Sequence, residues 1–240
     1  MKRLKLATAV FTIGLAISSS QAGFHIMQIE QIIGGINGDV TAQAIQLRLR
    51  QGGQNFVSGT TLIARDAAGN NAITLITIPA SVTNGTGGDN ILLTTSAFNT
   101  VMSSVPGYVA DFTLTNPIPA SYLNGGKLTF QAGATIYWSV AFGAYAGTNT
   151  GDATNDADGN FGTPTVALPS SGRQGVRFTG AFGAASTTNA ADYALTADPA
   201  TVRNNARTSF VVAPEPTSAA LLAVGAFGLG GIVFARRRRA

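Results

Sequence analysis

The sequence predicts a mainly β protein, an antiparallel β-sandwich, with an apolar helical segment at each end. Three observations predict it. Gly is abundant, at 29 of 240 residues, and charged residues make up only 11%; that composition suits short strands joined by turns more than packed helices. Residues 44–50 alternate, with Ile45, Leu47 and Leu49 set against Gln46, Arg48 and Arg50. Glycine- and asparagine-rich turn signals separate one short apolar run from the next. The apolar content, 45%, is ample for a core and argues against wholesale disorder.

The elements follow in order. The period of two over 44–50 reads as a strand with one buried face. Residues 73–78 are β-branched and apolar, and Pro79 ends the run. Residues 91–95, 108–114, 128–131, 136–142, 175–182 and 209–212 are further strand candidates. Gly52-Gly53, Gly69-Asn70, Asn84-Gly85, Gly87-Gly88 and Asn124-Gly125-Gly126 supply the turns. Many short strands so punctuated predict an antiparallel sandwich. Residues 96–102 read as a turn or two of helix. The domain shows neither a long helical period nor an internal repeat.

Charge divides the chain into three parts. Lys2, Arg3 and Lys5 precede the first apolar run, and Arg236, Arg237, Arg238 and Arg239 follow the last. Between them lie eight basic residues against all 11 acidic ones, from Glu30 to Glu215, a net of −3. The basic character of the whole therefore belongs to the ends, and no nucleic-acid partner is expected. The N-terminal part, 1–22, reads as a signal peptide. A basic stretch precedes apolar residues 6–17, and Ser20 and Ala22 place small side chains for cleavage after Ala22. The part 23–213 is then the exported domain.

The C-terminal part, 214–240, opens with Pro214, Glu215 and Pro216. Two prolines around one residue disfavour helix and strand, so this segment is expected to be extended and accessible. Residues 218–235 are uncharged. As a helix they span roughly 27 Å, close to the hydrocarbon thickness of a bilayer. Four arginines follow directly, and the positive-inside rule keeps them in the cytoplasm with the domain outside. Pro-Glu-Pro, Thr217, an apolar helix and a terminal Arg cluster, in that order, resemble the PEP-CTERM sorting tail of Gram-negative bacteria. The resemblance covers 214–240 only. It implies recognition by an exosortase-type processing enzyme, transient anchoring in the inner membrane, removal of the tail, and delivery to the cell surface or extracellular matrix. It does not identify the domain delivered.

A second resemblance concerns that domain. Glu30 with residues 43–49, then 59–66 and 70–78, then 137–143, the Asn/Asp-rich loop, Asp192-Tyr193 and Asn204-Asn205 follow an order similar to bacterial lamin-tail-type domains. These are small immunoglobulin-like sandwiches on exported proteins. Gln46 stands where that pattern has an acidic residue.

Candidate chemistry is sparse. Asp152, Asn155, Asp156, Asp158, Gly159 and Asn160 crowd one loop, and such oxygen-rich side chains near a Gly turn suit Ca²⁺. Asp152, Asp156 and Asp158 are the candidate ligands. Against the EF-hand template, with Gly159 as the turn glycine, Asp156 and Asp158 fit the third and fifth positions. Thr154 and Thr165 occupy the first and twelfth, so carboxylates are few. An ordinary solvated turn explains the same residues. A carboxylate pair for glycoside hydrolysis has only proximity in its favour. His25 is the one histidine; alone it builds neither a metal site nor a triad, and no Gly-x-Ser-x-Gly elbow occurs. With no Cys, thiolate sites are excluded. Gly34-Gly35 lacks the context of a phosphate loop. Tyr137, Trp138, Phe142 and Tyr145 offer aromatic faces that sugars could stack on, but Trp138 and Val140 share a strand face and read as core. The expected role is thus a non-enzymatic surface or matrix protein. The alternatives are a module binding extracellular polysaccharide, steadied by calcium, and a secreted hydrolase.

Overall fold

The computed structural model describes residues 23–149 and 159–212. The described residues form twelve strands and two short α-helices. In chain order the strands are β1 (Met27–Ile33), β2 (Ala44–Leu49), β3 (Thr61–Arg65), β4 (Ile73–Thr77), β5 (Asn90–Thr94) and β6 (Phe112–Thr113). There follow β7 (Gly125–Ala132), β8 (Thr135–Gly143), β9 (Val176–Phe178), β10 (Tyr193–Leu195), β11 (Thr201–Arg203) and β12 (Ser209–Val211). Helix α1 (Ser96–Met102) follows β5, and α2 (Asn189–Asp192) precedes β10.

The strands make a six-stranded sheet, β10-β9-β1-β2-β5-β6, a four-stranded sheet, β4-β3-β7-β8, and the hairpin β11-β12. Neighbours run antiparallel except for the short edge pair β5 and β6, which is parallel. Ile29, Leu47 and Ile91 from the larger sheet share one buried cluster with Leu62, Leu128 and Trp138 from the smaller. Two antiparallel layers over a common apolar core are consistent with the expected β-sandwich.

Local chemistry sets the connections. Between β3 and β4 the Asp66 carboxylate accepts N–H bonds from Ala68 and Asn70, at 3.0 and 2.8 Å. Gly69 supplies the left-handed residue there, with φ +81°. Helix α1 begins where the Thr95 hydroxyl accepts the Phe98 N–H at 3.2 Å. Its buried residues, Phe98 and Met102, join Ile33, Leu92, Val202 and Phe210 in a second apolar cluster. That cluster lies on the far face of the six-stranded sheet and binds α1 and the β11-β12 hairpin to it.

Strands expected over 44–50, 73–78, 91–95, 128–131, 136–142 and 209–212 are present within a residue or two at most ends, although β7 begins earlier, at Gly125; the helical turns at 96–102 are also present. Four results differ. The 175–182 run keeps only β9, Val176–Phe178. Strand β2 is buried on both faces, with Gln46 and Arg48 as covered as Ile45 and Leu47. The 108–114 run keeps only β6, because Asp111 takes the Leu92 N–H with its side chain at 2.7 Å. Strands β3, β10 and β11 are not expected from the sequence, and neither is β1. A bulge between Ile29 and Gln31 breaks its alternation and inserts Glu30 as an extra residue.

Candidate functional site

The bulge in β1 builds the most unusual chemistry among the described residues. Opposite partners in an antiparallel pair face the same way, so Gln28 lies with Arg48, and Gln31 with Gln46. All four turn away from the core shared by the two sheets. Glu30 joins them, and its side chain is 2% exposed. Four donors converge on that carboxylate. Oε1 accepts from Arg48 Nη1 at 3.2 Å and from Arg177 Nη2 at 2.8 Å. Oε2 accepts from Gln46 Nε2 at 2.7 Å and from Asn90 Nδ2. Arg48 also grips Gln28 Oε1 through Nε and Nη2, at 2.9 and 2.5 Å. The Arg48 guanidinium is depressed below its ordinary value, first by burial; Glu30 opposes that shift and Arg177 adds to it.

A carboxylate offers about four lone-pair sites, and here each oxygen already holds two donors. Glu30 thus has no free site from which to take a substrate proton. The arrangement is a clamp that ties β1, β2, β5 and β9 together through their side chains.

A pocket of about 340 Å³ opens over this clamp. Glu30, Arg48, Arg177, Phe182, Arg203 and Ser209 are among the residues that line it. The hairpin is fixed over it by main-chain and side-chain bonds. Arg203 N–H donates to Gln46 Oε1 at 2.5 Å. Asn205 accepts the Asn84 N–H at 2.9 Å and donates to the Asn84 and Asn90 carbonyls, both at 3.0 Å. Its own N–H meets Asp111 Oδ2 at 2.8 Å. Arg207 closes a two-pronged pair with Asp89, at 2.8 and 2.9 Å. Burial pushes the Asp89 carboxyl up, but its bonds to Arg207 and the Thr86 N–H bring it below the ordinary value. Asp111 has no cation in this set, and burial raises its carboxyl.

Two further buried polar groups serve the packing. Trp138 Nε1 donates to the Tyr193 hydroxyl at 2.7 Å, and that hydroxyl donates to the Ile29 carbonyl at 2.5 Å. The chain of bonds crosses from β8 to β1, linking the two sheets. Lys127 Nζ donates to the Thr148 carbonyl at 2.6 Å and lies 5.2 Å from the Tyr145 ring centre. Burial, with a smaller push from Arg65, lowers this amine to about 8.

The sequence-derived sites fall elsewhere. Ala22, Asp152, Asp156, Asp158, Pro214, Glu215, Pro216 and Arg236, Arg237, Arg238 and Arg239 lie outside the described residues, as do the signal peptide and the 218–235 helix. Among the described residues no group of three or more His, Cys, Asp or Glu side chains could hold a metal. No described helix is long and apolar enough to cross a membrane. Thr165, the twelfth position of the loop template, is built into the sheet. It bridges to Phe142, and its hydroxyl donates to the Tyr193 carbonyl at 3.3 Å. His25 is exposed beside the rings of Phe24 and Tyr137. Trp138 and Tyr145 are buried, so neither presents a face to a sugar. Phe182, which was not singled out, is 51% exposed.

No family model, no curated protein and no solved structure matches this chain.

Proposed function

We propose that this chain is an exported, non-enzymatic cell-surface or extracellular-matrix protein, sorted through a PEP-CTERM-like tail that an exosortase-type enzyme recognises. The observation that carries the proposal is the order of features at 214–240: Pro214-Glu215-Pro216, an uncharged stretch, then four arginines. An extended motif beside an apolar stop gives a processing enzyme a segment to grip at a fixed height above the bilayer. The signal-peptide pattern at 1–22 supports the same topology independently. The described domain suits the role of cargo. Its most buried carboxylate, Glu30, is bound by four donors, which favours a structural part over acid-base chemistry. Within this proposal the domain is an immunoglobulin-like sandwich of the lamin-tail type. In it Glu30 carries, from the neighbouring strand, the negative charge that Gln46 lacks. Calcium at Asp152, Asp156 and Asp158 belongs to the alternative, a metal-steadied binding module.

The test is the intact mass of the protein recovered from the outer surface of its native host. The expected mass lacks the first 22 residues and everything from near Pro214-Glu215-Pro216 onward. A mass that retains Arg236 to Arg239 means a permanent anchor, and the sorting proposal falls.

A further inference from the structure

The pocket over the Glu30 clamp has a composition the packing alone does not require. Its charged lining is Glu30 with Arg48, Arg177 and Arg203, one negative group against three positive ones. This net positive spot sits on a central region whose overall charge is −3. Arg48 is consumed by Glu30 and Gln28. The other two are not. Arg177 gives one nitrogen, Nη2, to Glu30, and its side chain is 46% exposed. Arg203 gives Nε to the Arg207 carbonyl at 3.3 Å, and its part in docking the hairpin is made by its main-chain N–H. Arg177 and Arg203 both line the opening, and each guanidinium keeps nitrogens outside these bonds. Ser209, Thr201 and the half-exposed Phe182 line it with them, Phe182 lying beside Gly87 and Gly88.

We infer that this pocket binds an acidic saccharide, a short stretch of a uronate-bearing polymer. Guanidinium groups recognise carboxylates by paired N–H donation, and they do so better than an ammonium would. Hydroxyl groups on the rim match sugar hydroxyls. A flat aromatic ring at the edge covers the C–H face of a sugar ring. A volume of about 340 Å³ lies at the small end of the range for ligand pockets, which fits one or two sugar units of a longer chain. The inference deepens the surface-protein reading, because acidic polymers are what a matrix protein meets, yet it fails separately. The mass measurement tests export, and a titration tests the pocket.

The experiment is calorimetric titration of the full chain with a trigalacturonate, with the carboxyl-reduced form of the same trisaccharide, and with inorganic phosphate. The expected result is saturable binding of the trigalacturonate that weakens at least about tenfold on carboxyl reduction and falls as salt rises. Arg203→Gln and Phe182→Ala are each expected to weaken it about tenfold, with the emission of Trp138 and the melting temperature unchanged. Phe182→Ala removes an exposed ring and keeps the test decisive where Arg203→Gln does not fold. Equal binding of the reduced sugar, indifference to Phe182→Ala, or absence of binding overturns the inference. Phosphate displacing the sugar at equal affinity would make this a general anion site and overturn the saccharide assignment.

Discussion

The two faces of the six-stranded sheet are both buried, and by different means. Toward the four-stranded sheet, Ile29, Ile45, Leu47 and Ile91 present a dry apolar surface, held by the area it removes from water. On the far face the same strands present Gln28, Glu30, Gln46, Arg48 and Asn90, also with little exposure. At those positions the face is held by direction, since Glu30, Gln46, Arg48 and Asn90 each have a named partner, although Gln28 Nε2 and the Gln31 amide have none; farther along, Ile33, Ala44 and Leu92 make it apolar. The apolar face tolerates changes of shape that keep volume. The polar face tolerates less, because each missing partner leaves another buried group unpaired. What covers the polar face is a hairpin of six strand residues, too small to hold itself in place. Its docking depends on Val202 and Phe210, buried in the second apolar cluster, and on the bonds of Asn205, Arg207 and the Arg203 N–H beside the polar layer.

Glu30→Gln carries the largest expected loss. The amide keeps the shape but removes the charge, and its NH₂ opposes donors on β2, β5 or β9. Arg48 then stays buried beside Gln28 without its carboxylate. Removing one partner of a buried ion pair costs about 3–5 kcal/mol, so urea unfolding should show a loss in that range. A loss under about 1 kcal/mol would mean that water reaches the layer and that the clamp is not what holds the strands.

Tyr193→Phe tests the chain of bonds that joins the two sheets. It deletes a hydroxyl that is both acceptor for Trp138 Nε1 and donor to the Ile29 carbonyl. Two buried polar groups are left unpaired while the ring and its contact with Phe178 remain. The expected loss is about 1–3 kcal/mol. Trp138 is the only tryptophan, so its emission should change in the folded state as well. An unchanged emission with unchanged stability would show that the bond has no structural weight.

How legible these features were in the sequence follows from the same contrast. Apolar alternation, as in Ile45-Gln46-Leu47-Arg48, marks a strand because period two is all that a half-buried sheet requires. It cannot mark a second covering, because the residues that cover Gln46 and Arg48 arrive about 130 to 160 positions later, with Arg177 and Arg203. Glu30 was hidden for a different reason: the bulge places Glu30 and Gln31 in succession where alternation demands an apolar residue. A polar residue out of phase beside a β-branched pair, Ile32-Ile33, is the signal that was there to be read. Trp138 and Val140 were assigned to the core by their spacing alone, since side chains two apart share a face, and both are fully buried. Tyr145 and Phe182 show the limit of that rule. Neither sits in a regular alternation, and only the fold decides that the first is covered and the second open.

The smallest predicted effect concerns the second carboxylate of the polar face. Asp111 differs from Glu30 in kind: both its donors are main-chain N–H groups, from Leu92 and Asn205, and both reach the same oxygen, Oδ2, at 2.7 and 2.8 Å. An asparagine placing its single carbonyl oxygen there keeps both bonds, and it no longer buries a charge. Asp111→Asn should therefore melt within about 1 kcal/mol of the parent at neutral pH, on the stable side. The pH dependence gives the decisive comparison. Burial raises the folded Asp111 carboxyl above its ordinary 3.8, so as pH falls from neutral the folded state takes up a proton before the unfolded state does. The parent gains stability through that window, and the variant does not. Asp39, Asp66 and Asp89 are held below 3.8, and their contribution declines only at lower pH, equally in both proteins. The difference between the two melting curves thus isolates Asp111. A parent that loses stability relative to the variant between neutral pH and 4 would mean that a cation pairs with Asp111 in solution, and the distinction between the two carboxylates would disappear.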